Sequence, residues 1–391
     1  MSAALAAPFT DPEAEADQAR LGELLRAHAP ERPTLLIDRA IVARRYRALA
    51  AALAPARLHY AVKANPARAV IETLAAEGAA FDAASRAEIE LCLSLGVRAG
   101  DISFGNTVKR AGDIAFAHQA GVRLFVADAE EEIEKIACHA PGAELTIRVA
   151  VAAGSADWPL ARKFGARPEA VAELLDLARA RGLAPVGLSF HVGSQTRHAG
   201  DWAGPLDVVA GVWKAARAAG HGMEVLNIGG GFPARYDPAI APAPAYGRQV
   251  MALLADRMGR VPRLIAEPGR AIVAEAGMIA AEVLLVARRS RLDAHRWVYL
   301  DIGRFSGLAE TEDEAIRYPV LTDRDHESTG PCILAGPTCD SVDVMYEKRP
   351  LPLPMGLQAG DRVYIAAAGA YTASYASVGF NGFAPPELIV V

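Results

Sequence analysis

Little in this sequence points to a metal, a membrane or a polyanion. Only four cysteines occur in 391 residues, namely Cys92, Cys138, Cys332 and Cys339. They have no paired metal-ligand spacing, which argues for free thiols in a reducing compartment such as the cytoplasm. No run of about 18 apolar, uncharged residues occurs, so no membrane span is expected. The net charge of −5 is weakly acidic and argues against non-specific binding to nucleic acid or a membrane surface. Residues 1–10 carry no basic stretch ahead of their alanine-rich run, so no secretory signal is expected. Low-complexity tracts are absent beyond alanine richness, and the Pro-rich piece 350–354 reads as a loop.

What is present is a chain long enough for two domains, with 52% hydrophobic residues. After a helical stretch at 11–29 and a short strand at 34–37, a rhythm begins. Strand-like runs near 57–64, 79–83, 101–104, 122–127, 144–151, 185–191, 223–228 and 262–267 alternate with helix-like runs. Alternation at this spacing means parallel βαβ units, and eight strands predict a closed (β/α)8 barrel, with an open doubly wound sheet as the alternative. Beyond about Arg270 helical periodicity fades and strands dominate. The expectation is therefore an α/β barrel over 34–268, with 1–33 and 269–391 forming an all-β domain.

Barrels of this kind carry their chemistry at the carboxyl ends of the strands. The run from His59 to Pro66 predicts a buried strand that delivers the Lys63 ammonium there. Burial would lower its pKa and make it a nucleophile and Schiff-base former, unless it is only an ion-paired lysine. Asp82, Arg148 and His191 fall at or near other strand ends, and Glu88 lies on the helix after Asp82. Gly229, Gly230 and Gly231 follow the seventh strand, where backbone N–H groups can hold an anion, unless they form a plain turn. Ser194 and Arg270 could add donors. Glu267 is either a partner for Arg270 or a carboxylate for a protonated ring nitrogen. His191 could be a core histidine, a stacking face or a metal ligand; no second histidine stands at metal spacing, so no metal is expected. Amine, anion nest, carboxylate and flat ring together suggest pyridoxal 5′-phosphate.

These same residues resemble a known family. Tyr60–Ala61–Val62–Lys63–Ala64–Asn65–Pro66, Phe190–His191–Val192–Gly193–Ser194, Ile228–Gly229–Gly230–Gly231–Phe232–Pro233 and Ala266–Glu267–Pro268–Gly269–Arg270 are similar to motifs of the alanine-racemase-fold (fold type III) PLP-dependent basic amino-acid decarboxylases. Gly336–Pro337–Thr338–Cys339–Asp340, Gly369–Ala370–Tyr371–Thr372 and Phe380–Asn381–Gly382–Phe383 resemble the ornithine decarboxylase branch. The resemblance runs from about Leu35 to the C-terminus.

It implies a head-to-tail homodimer with shared active sites. Cys339 and Asp340 would act on the partner subunit's cofactor, with Cys339 reprotonating the substrate carbon and Asp340 binding the distal ammonium. Tyr371 and Gly269 would contact the cofactor, Asp82 and Arg148 would line it, and Glu88 would support it. Phe380 would line the substrate pocket. Lys163 and Asp343 would form an intersubunit ion pair. Glu267, where racemases of this fold have arginine, favours a decarboxylase over a racemase. Non-catalytic homologues would be expected to lose Lys63, Cys339 or Asp340, and all three are here.

Asp340 and Ser341 stand where diaminopimelate decarboxylases carry Glu-Ser, which favours a plain distal ammonium. The stretch from Asp301 to Thr311 departs from eukaryotic ornithine decarboxylases and looks more like bacterial enzymes that take lysine and ornithine. Glu310, Glu312 or Asp313 could supply a second carboxylate, with Glu310 preferred. The expected reaction is L-ornithine to putrescine and CO2, with L-lysine to cadaverine as a weaker activity.

Overall fold

A computed structural model describes residues 11–152, 154–158 and 163–391; the signal expectation for residues 1–10 falls outside them. The described residues divide into two compact units. One holds Ala43–Pro233 and Ala241–Ala271, and the other holds the chain up to Val42, Ala234–Ile240 and Ile272–Val391.

The first unit is a closed barrel of eight parallel strands: Arg57–Ala61, Ala80–Ala83, Ile102–Phe104, Leu124–Ala127, Glu144–Arg148, Ala184–Ser189, Val225–Asn227 and Arg263–Ala266. Strands such as Ala80–Ala83 and Leu124–Ala127 are buried throughout, the pattern expected where helices cover one face and the barrel interior the other. The covering helices follow from periodicity. In Val171–Ala180 the buried residues are Val171, Leu174, Leu175 and Ala178, one stripe at helical spacing. The sixth strand ends at Ser189, so His191 stands in the loop beyond it.

The barrel registers place the chemistry. Ala61 pairs with Asp82, and Asp82 with Ser103. Arg148 pairs with Ser189, and Ser189 with Asn227. Register neighbours in a sheet share a face, so Arg148, Ser189 and Asn227 stand side by side on three adjacent strands. Glu267 follows Ile265, the partner of Asn227, by two residues.

The second unit is built on a nine-stranded mixed sheet. Thr34–Ile37 belongs here and not to the barrel domain where the sequence places it: it pairs with Gly277–Ala287 on one side and Glu387–Val390 on the other. The supposed Pro-rich loop is also a strand. Leu351–Pro354 pairs antiparallel with Thr329–Ala335, as an edge where proline costs no ladder bond on its open side. The buried guanidinium of Arg296 donates to the carbonyls of Leu353, Pro354 and Met355, which anchors that edge. Among the described residues no helix is long and apolar enough to cross a membrane.

Candidate active site

The lysine turn corrects the sequence reading. The first strand stops at Ala61, and Val62–Ala64 forms a 3-10 turn. Asn65 locks the turn: its N–H donates to the Val62 carbonyl (3.1 Å), its Oδ1 accepts from Ala67 N–H (3.0 Å), and its carbonyl accepts from the Tyr60 hydroxyl (3.1 Å). Val62 and Ala64 turn inward while Lys63 is exposed, so the expected burial of this ammonium does not hold. The buried lysine of the barrel is Lys109. Burial pushes it down to about 8, yet its ammonium donates to the carbonyls of Asn106 and Val126 (2.7 Å each) and pairs with Glu132 at 2.9 Å. Those partners occupy its three donors, so burial alone would have chosen the wrong lysine.

The eighth strand leads into the turn from Glu267 to Arg270, which closes on the lysine turn. The Pro268 carbonyl accepts from Ala61 N–H (3.2 Å). A Cβ on Gly269 would lie 2.7 Å from Ala64 Cβ, so only glycine allows this approach. The glycine triplet is as tightly confined. A Cβ on Gly230 would come within 2.7 Å of the Glu267 carbonyl and 3.0 Å of His191 Nε2, and Gly231 adopts φ +101°. The triplet thus threads between the His191 loop and Glu267. Arg270 is buried and donates from Nη2 to Ser194 Oγ at 3.1 Å. The backbone behind Ser194 is held by Tyr246, whose hydroxyl donates to the Thr196 carbonyl and accepts from Trp202 Nε1, both at 2.9 Å.

The electrostatics centre on two carboxylates. Asp82 is buried, its Oδ1 has no hydrogen-bond partner, and burial raises its pKa against the pull of Lys63 and Arg148. Glu267 is pushed up to about 7 by burial and by Asp82, while a hydrogen bond from Asn227, Lys63 and Arg148 oppose the rise. His191 is held well below 6.5 by burial and by nearby Arg148 and Lys63. Its Nδ1 accepts from Gly193 N–H at 2.9 Å; a backbone N–H only donates, so the neutral ring carries its proton on Nε2. The Arg148 guanidinium lies 4.9 Å from the Phe164 ring centre. Glu88 acts on its own helix start. Ser85 caps its N–H (3.3 Å), and its carboxylate accepts from Ala84 N–H (2.7 Å), a variant of the capping box.

Apart from Lys163, the remaining expected residues belong to the other unit. Cys339 is exposed, and its N–H donates to Asn381 Oδ1 at 3.0 Å. Asp340 is half-buried and accepts from Val342 N–H (3.0 Å). Phe380 is exposed, 4.9 Å from Phe305 between ring centres. Tyr371 is half-buried with φ +61°. Glu310 is buried, Glu312 pairs with Arg304 (3.6 Å), and Asp313 pairs with Lys348 (3.0 Å). Asp343 is buried, and its carboxylate accepts from Arg304 N–H (2.8 Å), Thr338 N–H (3.2 Å) and Thr338 Oγ1 (2.7 Å). Lys163 is exposed and lies 4.8 Å from the Phe164 ring centre.

Sequence reasoning missed Asn227 and Asn381, which hold Glu267 and Cys339. Asn227 stands two residues before Gly229 and Asn381 directly before Gly382, and asparagine ahead of a glycine turn is the available signal, since its side chain readily bonds backbone, as Asn227 does two residues on at Gly229.

The barrel residues fit pyridoxal phosphate. Lys63 offers an accessible amine, and Ser194 with Arg270 offers donors beside the glycine turn. The sharper observation is electrostatic. Glu267 is an enclosed carboxylate pushed up by burial and by its neighbour Asp82. Enclosed carboxylates need a cation or a donor, and a protonated ring nitrogen provides both.

Comparison with known proteins agrees. Residues 39–274 match the family model of the pyridoxal-dependent decarboxylase, pyridoxal binding domain. A probable ornithine decarboxylase of Dictyostelium discoideum is 33% identical over 84% of this chain and 73% of its own length. The crystal structure of a lysine/ornithine decarboxylase from Vibrio vulnificus, complexed with putrescine, is 34% identical, with a TM-score of 0.83 over 94% of this chain and 97% of that one. The arginine decarboxylase of Paramecium bursaria Chlorella virus, bound to agmatine, is 27% identical, with a TM-score of 0.86 over 95% of this chain and 100% of that one. The chain belongs to the pyridoxal-dependent decarboxylases, and its cofactor is pyridoxal phosphate.

Proposed function

We propose that this decarboxylase converts L-ornithine to putrescine and CO2, with L-lysine to cadaverine as a weaker reaction, in a reducing cytoplasm suited to its free thiols. The observation that carries the reading is Glu267, a carboxylate held at the end of the eighth strand and bonded by Asn227. Relatives named for ornithine and lysine support the substrate.

When bound, pyridoxal phosphate supplies an electron sink for the pair left as the Cα–carboxylate bond breaks. Lys63 would hold the cofactor through its amine. Gly229, Gly230, Gly231, Gly269, Ser194, Arg270 and Tyr371 would bind its phosphate, with Arg270 as the charged donor. Neutral His191 would offer a face to the ring. Ionised Glu267 would hold a proton at the ring nitrogen. Asp82 and Arg148 form the adjoining wall.

Cys339 and Asp340 act on the partner's site in a homodimer. The Cys339 thiol gives its proton to Cα after CO2 leaves, and Asp340 binds the distal ammonium, with Glu310 as the second carboxylate. Phe380 lines the pocket for the methylene chain. The test is CO2 release from ornithine, lysine, arginine and meso-diaminopimelate in parallel. Ornithine should have the highest kcat/KM; dominant turnover of diaminopimelate or arginine would overturn the assignment.

A further inference from the structure

Asn227 ends the seventh barrel strand, is buried, and takes part in a closed set of hydrogen bonds. Its Oδ1 accepts from Gly229 N–H at 2.9 Å, its Nδ2 donates to Glu267 Oε1, and Glu267 N–H donates to the Gly229 carbonyl at 2.8 Å. The orientation of the amide follows from chemistry. Gly229 N–H can only donate, so the Asn227 oxygen must face it and the NH2 group must face Glu267. The strand register reinforces this, since Asn227 stands beside Ile265, two residues before Glu267.

We infer that Asn227 is the positioning residue for Glu267: it fixes one carboxylate oxygen with a donated hydrogen bond, favours the ionised form, and leaves the second oxygen to meet the ring nitrogen. The inference rests on the reading of Glu267 as the ring-nitrogen partner. The charged groups facing Glu267 are Asp82 from the second strand, Lys63 from the turn after the first and Arg148 from the fifth, and neutral His191 stands across Gly230. Burial and Asp82 favour the protonated acid. Lys63 and Arg148 oppose them through charge alone, and Asn227 is the side chain that opposes them with a hydrogen bond. Loss of a hydrogen bond to a charged group should raise the Glu267 midpoint by about one to two pH units. Asn227 also ties the carboxylate to the glycine turn, so ring nitrogen and phosphate would be located by one linked segment.

The discriminating variant is Asn227→Asp. It keeps the shape and the acceptor for Gly229 but replaces the donor with a second carboxylate. A residue that merely holds the glycine turn would tolerate it. The first readout needs no cofactor: the stability of the stripped protein is followed against pH for Asn227→Asp and for Asn227→Asp/Glu267→Gln, and their difference isolates Glu267 titration, as does wild type minus Glu267→Gln. The expected midpoint in Asn227→Asp lies at least one pH unit above the wild-type midpoint, and near pH 5, where a protonated Asp can still donate, the variant should resemble wild type. The second readout is the reconstituted holoenzyme, where kcat should fall at least tenfold while KM changes less than threefold. An unchanged midpoint overturns the inference, as does a fall in stability that is equal at all pH values. Asn227→Ser, which offers a shorter donor, should restore part of the shift if the variant folds less well than expected. Failure of the underlying reading looks different: Glu267→Gln would then leave kcat intact whatever the midpoints do.

Discussion

Removing the charge of Glu267 should change how the cofactor-free protein responds to pH. The carboxyl sits at about 7 in the folded chain against an ordinary 4.5, a difference of about 2.5 units or about 3 kcal/mol. Because the folded-state value is the higher one, the folded chain holds the proton longer than the unfolded chain. The contribution is complete below about pH 4.5 and is lost as pH rises through 7. Wild type should therefore lose about 3 kcal/mol between pH 4.5 and 8 that Glu267→Gln does not lose. Asp82, whose value is raised in the same direction, remains in both proteins, so the comparison isolates Glu267 and its coupling to Asp82. Urea unfolding of the stripped proteins at several pH values measures the difference. Parallel curves for the two proteins would contradict this, because they would mean that Glu267 titrates as an ordinary surface acid. Saturating pyridoxal phosphate should flatten the wild-type loss, since a cation beside the carboxylate restores its charged form.

Other perturbations have equally definite outcomes. Arg270→Ala removes a buried donor beside Ser194 and should weaken cofactor binding about 10- to 100-fold, read by fluorescence titration. Gly269→Ala puts a methyl 2.7 Å from Ala64 Cβ and should destabilise the protein by about 1–3 kcal/mol while displacing the lysine turn, seen as lower Tm and lower kcat together. Co-expression of Lys63→Ala with Cys339→Ala should recover about a quarter of wild-type activity if sites are shared across a homodimer, because half the dimers are mixed and each has one intact site; no recovery would place each site within one chain.

The barrel was legible because its signal is periodic. All eight strands lie where the alternation of apolar strands and amphipathic helices puts them, and the glycines and Glu267 stand past strand ends as the topology requires. What the sequence did not reveal follows from geometry that periodicity does not encode. Lys63 looked buried because its neighbours are apolar, yet it stands exposed in a 3-10 turn whose Val62 and Ala64 are buried. The domain boundary drawn at residue 34 put Thr34–Ile37 with the barrel because it directly precedes it in the chain, but a sheet can recruit a strand from far along the chain, here Glu387–Val390. Leu351–Pro354 shows that proline demotes a strand to an edge without abolishing it. Asn227 carries no motif of its own, and only its hydrogen bonds show what it does.

Lys63 is the residue on which the proposed chemistry turns, and mass mapping tests it directly. The purified holoenzyme is reduced with borohydride, digested, and searched for the pyridoxyl adduct. The adduct is expected on the Lys63 peptide, with decarboxylase activity and the visible cofactor absorbance both lost in Lys63→Ala. An adduct on Lys109 or any other lysine, with Lys63→Ala still active, would contradict the assignment.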